Sequence, residues 1–337
     1  MRRSPRRPLR RRAASVLAGC TVIATGLTLS AGPGWASRPS TPPLPTTPVS
    51  APPSHPDTDH LGSTIRAHEP AAQPTPTTPD RSATPNLGPP VVAGDQPQGL
   101  DVSGYQGNVD WPTVAANGAQ FAYVKATEGT GYLNPSFAQQ YNGSATTGLI
   151  RGAYHFALPD QASGADQANY FIDNGGGWTA DGHTLPPMLD IEYDPYGPDI
   201  CYGLNPTQMS AWITNFSTTV NTRTGRFPTI YTTTNWWNTC TGANPTFGAT
   251  NPLFIAHYNT TPGPLPAGWS SQTLWQYSDT GIYPGDQDTF NGSATQLSTF
   301  TAPTPTTTTP TPPPAPPYDL GTVFALLLAL FLLSTLH

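Results

Sequence analysis

Between residues 95 and 300, short apolar or β-branched runs recur with helical patterns between the earlier ones, and this alternation restricts the possible folds more than any other feature. The runs are Gly99 to Val102, Phe121 to Ala126, Ile150 to Phe156, Pro187 to Tyr193, Pro228 to Thr232, Pro252 to Tyr258 and Thr273 to Tyr277. Helical patterns occupy Trp111 to Asn117, Ser136 to Thr147, Ala162 to Asp173 and Thr207 to Arg223; Asn205 caps the last and Pro206 opens it. Alternating strands and helices build a parallel sheet with crossover helices. Roughly 200 residues fit a single α/β barrel, so the expected class is α/β, a modified TIM-like (β/α) barrel. The last runs follow too closely for long helices, and the end of the barrel is expected to be irregular.

Composition separates this segment from its flanks. A chain of 337 residues with 42 prolines has too many for one compact domain. Residues 37–94 and 301–317, rich in Pro and Thr, bury too little to offset the entropy of ordering and are expected to be disordered or polyproline-like spacers. Residues 1–36 have the form of an export signal: seven arginines among the first twelve residues, an apolar run from Ala13 to about Ala31, and a small-residue cleavage site at Ala36. Arg10-Arg11-Arg12 admits a twin-arginine signal and Leu17-Ala18-Gly19-Cys20 a lipoprotein box. Within residues 318–337, the uncharged run Leu320 to Leu336 is just long enough for a transmembrane helix; a short buried helix is the alternative. The expected location is therefore exported, at the cell surface or outside the cell, with a membrane tether at the C-terminus.

Between Asp95 and Phe300 there are fifteen acidic residues against Lys125, Arg151, Arg223 and Arg226, a formal charge of −11. Phosphate-rich partners are held by basic patches, so a nucleic-acid partner is excluded. An exported chain meets an oxidising environment, so Cys201 and Cys240, each expected on a loop after a strand, are expected to pair and staple one wall of the sheet's carboxyl end. Neither has a close Cys/His spacing, and neither a metal nor a cofactor is expected.

In Pro187-Met188-Leu189-Asp190-Ile191-Glu192-Tyr193, side chains two apart on a strand share a face, so Asp190 and Glu192 point one way and Ile191 the other. Two carboxyls in one pocket repel and lose solvent, and one can stay protonated beside a charged neighbour. Taken alone, the heptapeptide fits equally well a pair of solvated acids or a Ca²⁺ ligand pair. However, the first strand delivers Asp101 and the last segment Asp286, both to the carboxyl-end rim where α/β barrels place their active sites. Three segments converging with acids fit glycoside hydrolysis, in which carboxyls flank the scissile bond.

At these residues the chain resembles the family 25 glycoside hydrolases, the N-acetylmuramidase lysozymes. The resemblance rests on Gly99-Leu100-Asp101-Val102-Ser103-Gly104-Tyr105-Gln106-Gly107 with Val109-Asp110-Trp111, on Tyr123 to Gly129, and on Gly152-Ala153-Tyr154-His155-Phe156. It continues through Leu189-Asp190-Ile191-Glu192, Leu274-Trp275-Gln276-Tyr277 and Asp286 to Gly292, and spans Gln98 to Phe300. It implies cleavage of the β-1,4 bond after N-acetylmuramic acid in the glycan strands of peptidoglycan; the protein itself is expected to be a monomer. Carried over by position, Glu192 is the general acid/base, Asp190 its partner at the 2-acetamido group or the charged intermediate, and Asp101 and Asp286 complete an acidic floor. Asp288 stands where the family commonly has Asn. A catalytically inactive wall-binding barrel is the alternative.

Substrate contacts are expected from Tyr154, Tyr231, Tyr258 and Trp275, and Trp236 and Trp237 are candidate sugar-stacking platforms. His155 is expected on the packing side, and Lys125 with Glu128 as a structural ion pair.

Overall fold

A computed structural model describes residues 59–69 and 96–303. The expected export signal, C-terminal span and most of both spacers lie outside them; among the described residues no helix is long and apolar enough to cross a membrane. The strands are β1 Gln98–Val102, β2 Ala119–Glu128, β3 Tyr132–Leu133, β4 Ile150–Phe156, β5 Met188–Asp190, β6 Thr229–Thr232, β7 Leu253–Ala256, β8 Leu274–Ser278 and β9 Asp286–Phe290. All but β3, a short partner of β2, close into one ring in chain order. The helices are α1 Ile65–His68, α2 Trp111–Ala116, α3 Phe137–Thr146, α4 Gly164–Phe171, α5 Pro206–Thr224, α6 Thr234–Thr241 and α7 Ala294–Phe300.

Every seam of the ring from β1/β2 to β7/β8 is parallel, whereas β9 runs antiparallel to both β8 and β1. The cause is loop length. A parallel return needs a crossover of about a dozen residues, but only seven, 279–285, separate β8 from β9. Reversal has a consequence for the rim: the first residue of β9, Asp286, lies level with the last residues of the parallel strands, paired in register with Asp101. Asp286 thus begins its strand where Asp190 ends one.

Strand alternation divides the core in two. Inward residues Phe121, Tyr123, Tyr154, Met188, Tyr231, Phe254 and Leu274 fill the barrel, while outward Leu189, Ile191 and Ile230 pack under α4 to α6 with Phe171, Met209, Ile213 and Phe216. Each fully buried apolar side chain of this kind contributes roughly 1.5–3 kcal/mol. Glycine occurs in strands where a ring needs the space: a Cβ at Gly152 would lie 2.5 Å from the Tyr123 ring, and one at Gly99 2.5 Å from that of Phe121. Helix α5 forms where the sequence signals it, with Asn205 and Gln208 exchanging capping hydrogen bonds of 3.0 Å and Gly225 ending it at φ +75°.

Three placements differ from the sequence expectations. Cys240 lies on α6 rather than on a loop, although its bridge to Cys201 is present. Trp236 and Trp237 are fully buried, their indole N–H groups donating to the carbonyls of Ile200 and Asn244, so both belong to the core. Within the supposed spacer 37–94, residues Asp59–Glu69 are ordered, with Leu61 and Ile65 buried in the barrel mouth. Composition averaged over the spacer conceals the signal: positions 57–69 hold no proline and include two large aliphatic residues.

Candidate active site

The residues of the rim converge. Asp190 ends β5, and Glu192 follows two positions on, facing the same way; Ile191 between them packs outward. Asp101, Asp190, Glu192, Asp286 and Asp288 are all buried. Gln276 on β8 ties the floor together: its Nε2 donates to Asp101 at 2.8 Å and Asp286 at 2.9 Å, while its Oε1 accepts from Tyr231 at 2.6 Å and Tyr258 at 3.0 Å. Tyr231 and Tyr258 thus reach the mouth through Gln276, and the Tyr154 hydroxyl lies there too, accepting from the Leu61 amide at 3.2 Å. Trp275 does not, because it occupies the outward parity of β8, packs with Leu253, Ile255 and Tyr277, and donates to the His257 carbonyl. The inward position belongs to Gln276, which the quoted motif contained. Strand parity counted from inward Leu274 would have found it.

His155 packs outward as expected, between Phe171 and Phe216 and bonded to Thr127 and Gln167; burial pushes its pKa down to about 3. Lys125 and Glu128 form the expected buried ion pair, with Lys125 also donating to the Asp59 carbonyl. Asp286 and Asp288 share a face of β9. Asp286 meets Gln276, whereas neither oxygen of Asp288 receives a hydrogen bond from the protein.

Burial dominates the electrostatics. It raises Asp101 to about 8 and Glu192 to about 7, and carries Asp190, Asp286 and Asp288 well above the usual carboxylate range, with repulsion between the acids adding to the shift for Asp101, Asp190, Asp286 and Asp288. Neither oxygen of Asp190 accepts from a protein amide, hydroxyl or amine, and after burial the neighbouring Glu192 is the next cause of its raised pKa, so charging one carboxyl disfavours charging the other. Glu192 accepts hydrogen bonds from the Gly62 amide at 2.7 Å, the Thr64 amide at 3.4 Å and the Thr64 hydroxyl, all of which favour its charged form.

These shifts set a stability profile. An acid whose folded pKa is raised contributes stability below its unfolded value and loses it as pH rises through the folded one. For Glu192 that window runs from 4.5 to about 7, and for Asp101 from 3.8 to about 8. His155 opposes them, since its folded value is depressed and its contribution is lost as pH falls from 6.5 toward 3. With the acids outnumbering it, Tm should fall by several degrees from pH 5 to pH 8. Scanning calorimetry at the two values tests this, and a flat or rising Tm contradicts the buried-acid cluster.

Among the described residues, no group of three or more His, Cys, Asp or Glu is placed to hold a metal ion. The buried acids can deliver a proton from one carboxyl and place negative charge beside it, within a mouth lined by tyrosine hydroxyls.

Comparison with known proteins agrees with this chemistry. The chain is 50% identical over 204 residues to an N,O-diacetylmuramidase of a Chalaropsis species, covering 59% of this chain and 96% of that protein. It is 47% identical over 216 residues to Lysozyme M1 of Streptomyces globisporus, covering 63% of this chain and 72% of that one. A bacterial lysozyme structure from Streptomyces coelicolor superposes with a TM-score of 0.60 at 46% identity, covering 62% of this chain and 98% of that one. Residues 100–286 match the family described as Glycosyl hydrolases family 25, and the chain belongs to that family.

Proposed function

We propose that the protein is a peptidoglycan hydrolase, a lysozyme that cleaves the β-1,4 bond between N-acetylmuramic acid and N-acetylglucosamine. The observation that carries the reading is the meeting of Asp101, Asp190, Glu192 and Asp286 at one barrel mouth, in a family whose similar members are named lysozymes and muramidases. An inactive wall-binding barrel would not need that arrangement of acids.

In the first step, protonated Glu192 gives its proton to the glycosidic oxygen as the C1–O bond breaks. Asp190 holds the N–H of the 2-acetamido group, whose oxygen attacks C1 and closes a positively charged ring stabilised by the carboxylate. Glu192, now charged, takes a proton from water as that water attacks C1, restoring the acid and releasing the sugar with net retention. The unsatisfied oxygens of Asp190 suit this role, since they are buried acceptors that lack a protein donor. Tyr154, Tyr231 and Tyr258 supply hydroxyls around the bound sugar, and Gln276 keeps Asp101 and Asp286 in place. Mass analysis of the reducing ends released from purified peptidoglycan tests the proposal. N-acetylmuramic acid ends are expected; N-acetylglucosamine ends would indicate a glucosaminidase, and no new ends an inert binder.

We further propose an exported enzyme, carried out by residues 1–36, spaced by 37–94 and 301–317, and tethered through residues 318–337. The Arg-rich start and following apolar run support export, as does the Cys201 to Cys240 bridge, which fits an oxidising compartment.

A further inference from the structure

We propose that Asp59–Glu69 is an intramolecular plug that occupies the sugar-binding mouth of the barrel and holds the full chain latent until substrate or another agent displaces it. The inference rests on the glycosidase reading above.

Contacts at the centre, walls and ends of the segment identify a fitted occupant. At the centre, the Gly62 amide and the amide and hydroxyl of Thr64 all donate to Glu192, the group that must itself carry a proton to begin catalysis. Around it, the Leu61 amide donates to the Tyr154 hydroxyl at 3.2 Å, while the Gly62 carbonyl accepts from Tyr258 at 3.3 Å and that of Leu61 from Gln276 at 3.4 Å. The segment thus uses two of the hydroxyls assigned above to the sugar, those of Tyr154 and Tyr258. Leu61 and Ile65 are almost wholly buried beside them.

The ends are fastened as well. His60 stacks on exposed Tyr105 with ring centres 5.2 Å apart, and His68 on Tyr193 at 4.3 Å, so two imidazoles cover aromatic faces of the kind on which sugar rings pack. Arg66 forms an ion pair with Asp279 and lies over the Tyr258 ring, and the Glu69 carboxylate accepts from the Tyr193 hydroxyl at 2.7 Å. A segment that merely drifts past the mouth has no reason to satisfy both its acid and its rim.

Gly62 is the point at which the plug can be undone without touching the barrel. Its φ is +80°, in the left-handed region that favours glycine, and an added Cβ would stand within 2.8 Å of the Tyr231 hydroxyl oxygen and closer still to that of Tyr258. A side chain at this position cannot be accommodated while the segment is seated.

Because plug and sugar compete for the same groups, the plug raises the apparent KM by the reciprocal of the fraction of molecules left open and leaves kcat at saturation unchanged. The test compares the full-length wild-type chain with full-length Gly62→Val and Arg66→Glu on soluble peptidoglycan fragments, with hydrogen exchange at the Thr64 amide as a readout independent of turnover. Gly62→Val should lower KM about tenfold or more at constant kcat, since a plug seated nine times in ten leaves one molecule in ten open. Arg66→Glu should do so to a smaller degree, and the Thr64 amide, protected in the wild type, should exchange faster in both variants. Equal KM in wild type and Gly62→Val, with measurable turnover, overturns the plug while leaving the glycosidase reading intact. So does a Thr64 amide that exchanges freely in the wild type. Absence of turnover in every form, with the amide freed in the variants, defeats the glycosidase reading, and latency fails with it.

Discussion

Glu192→Gln should lower kcat on peptidoglycan by about 10²–10⁴-fold, the range typical of a lost general acid. The substitution is close to isosteric. Gly62 donates to one carboxylate oxygen and Thr64 to the other, so the carboxamide oxygen keeps the Gly62 bond while its NH2 can donate to the Thr64 hydroxyl, which turns to accept. What it removes is the transferable proton: an amide cannot protonate the leaving oxygen, nor later take a proton from water. Stability should be unchanged or slightly higher at pH 8, since the variant no longer has to ionise a buried acid there. Steady-state hydrolysis beside a thermal melt checks both parts. An unaltered rate in a folded variant removes Glu192 from the chemistry.

Asp190→Asn should cost about 10²–10³-fold in kcat, the loss expected when one preorganised electrostatic partner of a charged intermediate is neutralised. Asp190 has a different task from its neighbour, and a substrate with a good leaving group separates them. An aryl glycoside whose departing phenolate needs no proton bypasses Glu192 in the first step, so Glu192→Gln should recover most of that step's rate. Asp190→Asn should not recover, because the charge at the anomeric carbon develops whatever the leaving group. Burst kinetics on such a glycoside distinguishes the two. Equal rescue of both variants would mean that the carboxyls do not divide the work in this way.

The two carboxyls also bear on why the site needs its burial. In water both would be ionised at neutral pH, and neither could act as an acid. Removing solvent from the mouth makes charge costly, and placing the acids together makes a second charge costlier still. Seating Asp59–Glu69 brings three donors to Glu192, and all three favour its charged form over the protonated one that begins catalysis.

Much of this was legible in the chain because it is local. Alternation on β5 already places Asp190 and Glu192 on one face and Ile191 on the other, since the pleat repeats every two residues. Asn205, Pro206 and Gly225 mark both ends of α5 for reasons confined to a few backbone groups. The parity of Trp275 and Gln276 is equally local, since counting by twos from inward Leu274 turns Gln276 inward and leaves Trp275 outward. The burial of Trp236 and Trp237 was not local, because nothing near them in sequence says which face of α6 meets the sheet.

By itself, then, the sequence determined the strand and helix alternation, the acids carried by the strands, the family to which they belong, and the short link that forces β9 to turn back. The tertiary structure alone decided that Asp286 opens its strand level with the end of Asp190's, that Gln276 joins Asp101 to Asp286, and that a few residues of an apparent spacer lie on Glu192. The physical reason is separation along the chain. Backbone periodicity and capping act over a handful of residues and can be read in order, whereas contacts between residues such as Gly62 and Glu192, 130 positions apart, exist only once packing has closed the barrel and offered the segment a mouth to fill.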